Sequence, residues 1–324
     1  MITRRMLGGL TAGLGIAAAR GAVAQPAWPD RSLRWVVGYP AGGASDTFAR
    51  LIGQQMGAKL GYSVVVENRP GGGAVLASET VARSPADGYT FLHVDNGILV
   101  YNPALYSKLP YDPDKDLAGV GFIGRFPLFL VVRPDSPANS LMDYIALSKS
   151  RPPTYGTPAV ASPHHLAMEM LKRRAGFDAT HVPYRGGPAA MQDLLSGAVD
   201  SVVIDCATGI PFIRDRKVKT LVVLSEQRSA SAPEVPTARE MGHPEAVAYG
   251  WQGMSVPAGA PAAVIARLNQ ELNAAVASPE LQARMTSLGI ENAPWSPSDF
   301  NGFVAKENAL WRPLIRDLGI RLDS

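Results

Sequence analysis

The sequence predicts a mixed α/β protein built as two similar lobes in tandem and joined by two crossovers. Three observations support this. Strand-like and helix-like segments alternate through two separate series. The 300 residues that follow an amino-terminal leader exceed what one core commonly serves. Two extended stretches, near 126–133 and 247–256, stand where the chain would pass from one lobe to the other and back, which makes a hinge with a cleft between the lobes.

The leader comes first. "MITRRMLGGLTAGLGIAAARGAVAQP" has a basic start at Arg4 and Arg5, an apolar middle and an A-x-A site at Ala22-Val23-Ala24, the three parts of an export signal with cleavage expected before Gln25. The paired arginines are twin-arginine-like, with an ordinary secretory signal as the alternative. Removing residues 1–24 takes away three arginines and no acids, so the formal net charge falls from +3 to 0. That balance speaks against nucleic acid as a partner, because phosphate binding needs clustered surplus Lys and Arg. No later apolar stretch is long enough to span a bilayer, and a soluble exported product is expected.

The first series runs from "LRWVVG" (33–38) through a helix with Phe48, Leu51, Ile52, Met56 and Leu60 on one face. It continues with "SVVVEN" (63–68), a helix over "GAVLASETVARS", an Asp87-Gly88 turn and "YTFLHV" (89–94). The second begins at "LFLVVRP" (128–134). Ser140 caps the next helix, "TYGTP" and "ATHVPY" are short strands, "PAAMQDLLSG" is a helix closed by Gly197, and "DSVVID" (200–205) and "KTLVVLS" (219–225) are strands. Helices near 262–277, 279–288 and 298–318 end the chain. The expected organisation is a signal over 1–24, a first lobe over 25–127, a second over 128–247, and a return to the first lobe with the carboxyl-terminal helices over 248–324.

The candidate site follows from two loops. "YPAGGASDTFAR" (39–50) lies between a strand and a helix, contains glycines and no lysine, and suits an anion held by backbone N–H groups. "YGTPAVASPHHLAMEML" (155–171) repeats the plan, with Ser162 as a helix cap and Pro163 at the first helical position. Asp46 and Ser162 take matching places, each expected to cap its helix, so that the two helix starts clamp an anion across the cleft. His93, Asp95 and Asn96 close the third strand and add specificity, and Tyr39, Phe126 and Trp251 are placed near the cleft.

Other chemistries find less support. The five histidines are scattered, and adjacent His164 and His165 on a helix point about 100° apart, unsuited to sharing a metal ion. The single cysteine, Cys206, has no basic neighbour and reads as structural. "NRPGGG" (68–73) lacks the Lys-Ser/Thr of a phosphate loop and the spacing of a dinucleotide fold; it reads as a tight turn, with Asn68 and Arg69 as scaffolding. A hydrolase or lyase assembled from Asp46, Asp205, Ser162 and His164 lacks the spacing of a nucleophile and its base.

"YPAGGASDTFAR", "VVVENRPGGGAVLA", "NPALYSKLPYDPDKDL", "HVPYRGGPAAMQDLLSGAVD", "PEVPTAREMG" and "WQGMSVPAGAP" together resemble the tripartite tricarboxylate transporter receptors, the Bug family of extracytoplasmic solute receptors. The resemblance implies a type II (Venus-flytrap) periplasmic binding fold. It also implies a monomeric receptor, not an enzyme and without cofactor or metal, that captures a small organic acid for transporter membrane subunits; a sensor protein is the alternative partner. By resemblance the first binding loop covers Tyr39 through Thr47, with donors at Gly43, Ala44 and Ser45, and Asp46 ordering the helix start. The second covers Thr157 through Ser162, including Ala161, where alanines in place of glycines narrow the backbone conformations. Asn96 and Asp205 complete the ligand set.

Overall fold

The computed structural model describes residues 28–323. The export signal expected over 1–24 lies outside the described residues. The first series gives β1 (Leu33–Val37), α1 (Ala44–Leu60), β2 (Val64–Asn68), α2 (Val75–Ala82) and β3 (Thr90–Asp95). The three strands are parallel in the order β2-β1-β3. A π-helical turn at Gly97–Tyr101, α3 (Asn102–Leu105) and α4 (Pro113–Asp116) then lead into β4 (Leu117–Val132). The second series gives α5 (Leu141–Ser148), β5 (Thr154–Thr157), α6 (Pro163–Ala175), β6 (Thr180–Pro183), α7 (Gly187–Ser196), β7 (Ser201–Asp205), α8 (Cys206–Arg214) and β8 (Lys219–Val223). β9 (Tyr249–Pro257), α9 (Ala262–Val276), α10 (Pro279–Ser287) and α11 (Pro297–Leu318) complete the chain. Ser140 caps α5 through Asp143 N–H at 3.1 Å, and Gly197 ends α7 in the left-handed conformation at φ 84°, both as the sequence indicates.

The element that organises the two lobes is longer than its sequence suggests. The expected strand at 128–134 is the last third of β4, a single strand of 16 residues. Leu117–Pro127 pairs antiparallel with β9 in the first lobe, and Leu128–Val132 pairs with β7 and β8 in the second. The run "LAGVGFIGR" before Leu128 holds three glycines, and these are packing positions. A Cβ on Gly119 would stand 2.9 Å from the Phe300 ring, on Gly121 3.0 Å from the Leu272 side chain and on Gly124 2.7 Å from Ile290. Bare backbone there lets α9 and α11 lie directly on the strand. The ladder shifts register at Gly119/Gly121 and Phe122/Gly124, bulges that bend and twist the ribbon.

Beyond the crossover, both faces of β4 are covered. Leu128, Leu130 and Val132 enter one buried cluster with Tyr155, Leu166 and Trp251, while Phe129 and Val131 enter another with Met191, Leu194 and Ile204. The alternation is that of a strand buried on both sides. The second crossover lies beside the first: Leu224 N–H donates to Leu128 O and Ala248 N–H to Leu224 O, each at 2.8 Å, before β9 begins. The carboxyl-terminal helices pack on the first lobe, where Arg312 of α11 donates to Leu99 O and Val100 O and pairs with Asp114.

Candidate ligand cleft

Strand register gathers the site. β1, β3, β5 and β7 all point their carboxyl ends toward the crossover. There Asp95 lies opposite Gln252, Gln252 opposite Gly124, Phe126 opposite Gly250 and Leu128 opposite Asp205. These pairings place the first-lobe loop after β1 and the second-lobe loops after β5 and β7 along one line between the lobes, the usual place for a ligand in open α/β sheets.

In the first loop the cap of α1 is Gly43, with no side chain capping it. Asp46 is therefore not the cap that the sequence suggests but the third residue of the helix. It reaches backward: its Oδ2 accepts Gly42 N–H at 2.8 Å and Arg50 Nε at 3.1 Å, and its Oδ1 stands 2.9 Å from Arg50 Nη2. Arg50 also donates to Asn68 Oδ1 at 2.9 Å, and Asn68 Nδ2 donates to Tyr39 O at 3.1 Å. This chain of bonds fixes both ends of the loop, and Asn68 is scaffolding as expected. The Arg50 bond, with the Gly42 N–H bond and against burial, lowers the Asp46 carboxyl to about 2. Ala44, Ser45 and Asp46 hold the first three helical positions, so their N–H groups have no carbonyl of their own helix to bond. Thr47 N–H does, donating to Gly43 O at 2.9 Å. The Ser45 hydroxyl accepts Gln252 Nε2 at 3.2 Å, which seats the helix start over β9. The Tyr39 hydroxyl donates to Asp95, whose other oxygen accepts Ile98 N–H at 3.0 Å.

The second loop is built differently. Ser162 does cap α6, accepting His165 N–H at 3.3 Å, and its hydroxyl donates to Ala159 O at 2.8 Å. Ala161 is held at φ 55°, a left-handed conformation unusual for alanine, and its N–H donates to His165 Nδ1 at 3.0 Å. His165 stacks on His181 with ring centroids 3.7 Å apart, and His181 Nε2 meets the Thr157 hydroxyl at 2.7 Å. That hydroxyl donates its single proton to Ala159 O, so His181 Nε2 carries the hydrogen between them. Both imidazoles are neutral: burial, with like charges nearby, lowers His165 to about 3, and burial lowers His181 to about 4.

The donors of Ala161 and the hydroxyls of Thr157 and Ser162 are thus committed within the loop. Pro163 has no N–H, and His164, second in α6, retains a backbone N–H without a helical acceptor. The His164 side chain meets Asp205, Nε2 to Oδ2 at 3.2 Å, and its ring stands 6.5 Å from that of Phe126 at the crossover. Asp205 caps α8 by accepting Thr208 N–H at 2.9 Å. Burial pushes its carboxyl up, but the His164 and Thr208 bonds prevail and hold it below the ordinary carboxylate range.

Other expectations resolve as follows. The Asn96 amide is fully buried and committed to β9, donating to Tyr249 O at 3.1 Å and accepting Trp251 N–H at 2.8 Å; it sets the hinge strand instead of facing the cleft. Trp251 lies under α11, its Nε1 donating to Glu307 at 3.0 Å, and is not a cleft residue. His93 is completely buried, and desolvation lowers it to about 4. Cys206 is buried and its thiol is raised to about 12 by desolvation, which fits a structural thiol. Among the described residues no group of three His, Cys, Asp or Glu is arranged to hold a metal ion, and no helix is long and apolar enough to cross a membrane. Sequence reasoning missed Gln252, His165 and His181. Their partners lie 207, 4 and 24 residues away, and only the spacing of His165 from Ala161 was locally visible.

Comparison with known proteins adds four findings. Residues 48–320 match the model of the tripartite tricarboxylate transporter family receptor. The chain is 33% identical over 320 residues to Protein BugT of Bordetella pertussis, covering 97% of this chain and 98% of that protein. Among solved structures it resembles Rpa4515 of R. palustris with adipate (32% identity, TM-score 0.78, covering 91% of this chain and 99% of that one). It also resembles MatC of Rhodopseudomonas palustris with bound malate (31% identity, TM-score 0.76, covering 89% and 100%).

Proposed function

The chain belongs to the tripartite tricarboxylate transporter receptor family, and from that premise we propose that it is an exported, monomeric receptor that captures a small organic acid between its lobes. The observation that carries this reading is the start of α1. Three N–H groups, of Ala44, Ser45 and Asp46, stand without helical acceptors at the carboxyl end of β1, and the loop before them is anchored by the Asp46 carboxylate. Such an array, at the positive end of the helix dipole, binds a carboxylate without a lysine. Adipate and malate in the two similar structures support the same ligand class.

In this reading the boundaries at 127/128 and 247/248 divide the lobes. The first lobe receives the ligand carboxylate at α1, and rotation about the paired crossovers brings His164 N–H and Asp205 to its other end. The loaded receptor then meets the membrane subunits of a tripartite tricarboxylate transporter in the periplasm. Nothing in this binding chemistry calls for a cofactor.

The test is a thermal-shift screen of the mature chain against mono-, di- and tricarboxylates and their amides. A true ligand at 100 times its Kd should stabilise the fold by about 2.7 kcal/mol. A flat response to every carboxylate would overturn the proposal.

A further inference from the structure

The two ends of the cleft differ in charge, and the difference selects a class of ligand. We infer that Asp205 makes this receptor specific for organic acids that carry one carboxylate and, at the other end, an N–H donor, as in a monoamide, in preference to dicarboxylates of the same length. The inference rests on the carboxylate-capture reading above and specifies what the far end of the ligand must be.

At the first-lobe end the open N–H groups of α1 are on offer, and the Asp46 carboxylate is already matched by Arg50 and Gly42 N–H. At the second-lobe end stands an ionised carboxylate. The Asp205 side chain is 19% exposed, at the carboxyl end of β7 and opposite Leu128, where the strand passes between lobes. One of its oxygens accepts Thr208 N–H and the other meets His164. A carboxylate has about four acceptor positions, so capacity for another donor remains. Two arginines near the crossover are engaged elsewhere. Arg50 serves Asp46 and Asn68, while Arg125 pairs with Glu291 and Glu226 and lies over the Tyr249 ring.

A second ligand carboxylate would therefore meet Asp205 as a like charge, with Arg50 and Arg125 committed to other partners. An amide or ammonium N–H in the same place completes the Asp205 bonding instead. Sites built around such a bond discriminate strongly against analogues that lack the donor.

The experiment is calorimetric titration of the mature chain with matched pairs at neutral pH: succinamate against succinate, glutaramate against glutarate, and adipamate against adipate. For the chain length that fits, the monoamide should bind at least about tenfold more tightly than the dicarboxylate. Asp205→Asn keeps a good cap for α8 and replaces the acceptor by a group that can also donate, so the ratio should collapse to within about twofold or reverse. Equal or tighter binding of the dicarboxylate by the parent overturns the inference and leaves carboxylate capture standing, as does an unchanged ratio in Asp205→Asn. Binding of neither member at any length, with no thermal shift from any carboxylate, overturns the capture reading and this inference with it.

Discussion

The starts of α1 and α6 look like copies in the sequence, each a strand, a small-residue loop and a helix, but they are built for opposite tasks. α1 begins on a bare Gly43 and leaves three N–H groups open, with Asp46 bonding back to Gly42 to hold the loop from behind. α6 begins on a true side-chain cap and turns its donors inward: His165 N–H to Ser162, Ala161 N–H to His165, the Thr157 and Ser162 hydroxyls to Ala159 O. On the proposed reading the first is a cradle and the second is a prop. Similar local sequence permits either, because what decides is whether a side chain behind the loop or the loop itself satisfies the backbone.

Acid should separate the two most sharply. His165 has a folded value of about 3 and His181 about 4, both below the ordinary histidine value of about 6.5, so the unfolded chain takes up the protons first. Stability from these neutral imidazoles is complete above about pH 6.5 and declines as pH falls toward the folded values, by roughly 3 kcal/mol for buried His165 alone at pH 4. Asp46 stays ionised down to about 2, so its loop keeps its anchor over the same range. Amide exchange at pH 7 and pH 4, corrected for intrinsic rates, should show Ala161 losing protection while Gly42 retains it. Equal behaviour at the two amides would remove the distinction between cradle and prop.

Asp46→Ala comes next in size. It strips the acceptor from Gly42 and removes the carboxylate partner of Arg50, which keeps only Asn68, at a cost of about 1–3 kcal/mol in the urea-unfolding free energy. Ligand affinity should drop at least about tenfold, since the open N–H groups are no longer held in place. Retained affinity in this variant would mean that the α1 start does not receive the ligand.

The smallest effect is expected from Ser162→Ala. The lost cap destabilises α6 by about 0.5–2 kcal/mol, but affinity measured by titration should change less than about threefold, because His165 still holds Ala161. A loss of affinity as large as that of Asp46→Ala would make the second loop a cradle too.

Much of the lobe architecture was legible because it is local. Phe48, Ile52 and Met56 mark the buried face of α1, the Ser162-Pro163 pair marks the start of α6, and Gly197 marks the end of α7. What was not legible depends on distant chain. The first two thirds of β4 carry no assignment from sequence alone, because what lets Gly119 and Gly121 serve a strand is the close approach of α11 and α9. Asn96 looks like a free strand-end amide until the backbone of Tyr249 and Trp251, more than 150 residues later, takes both of its groups. Asp46 shares with true caps its place before an apolar face, and only the backbone angles of Gly43 reveal the cap to be three residues earlier.

The unbroken course of β4 has a mechanical consequence. Two lobes joined by slack loops could swing about many axes. Here they share one hydrogen-bonded ribbon, flanked by β9 on one side of the crossing and by β7 and β8 on the other. Such a ribbon resists stretching and in-plane bending, since both break ladder bonds, yet it yields to torsion, the deformation that its bulges already favour. On the proposed closure the ribbon would act as a torsion bar, favouring twist as the one soft coordinate between the lobes. A jaw with one degree of freedom brings the same residues face to face at every closure, and little orientational entropy is left to be lost when it shuts.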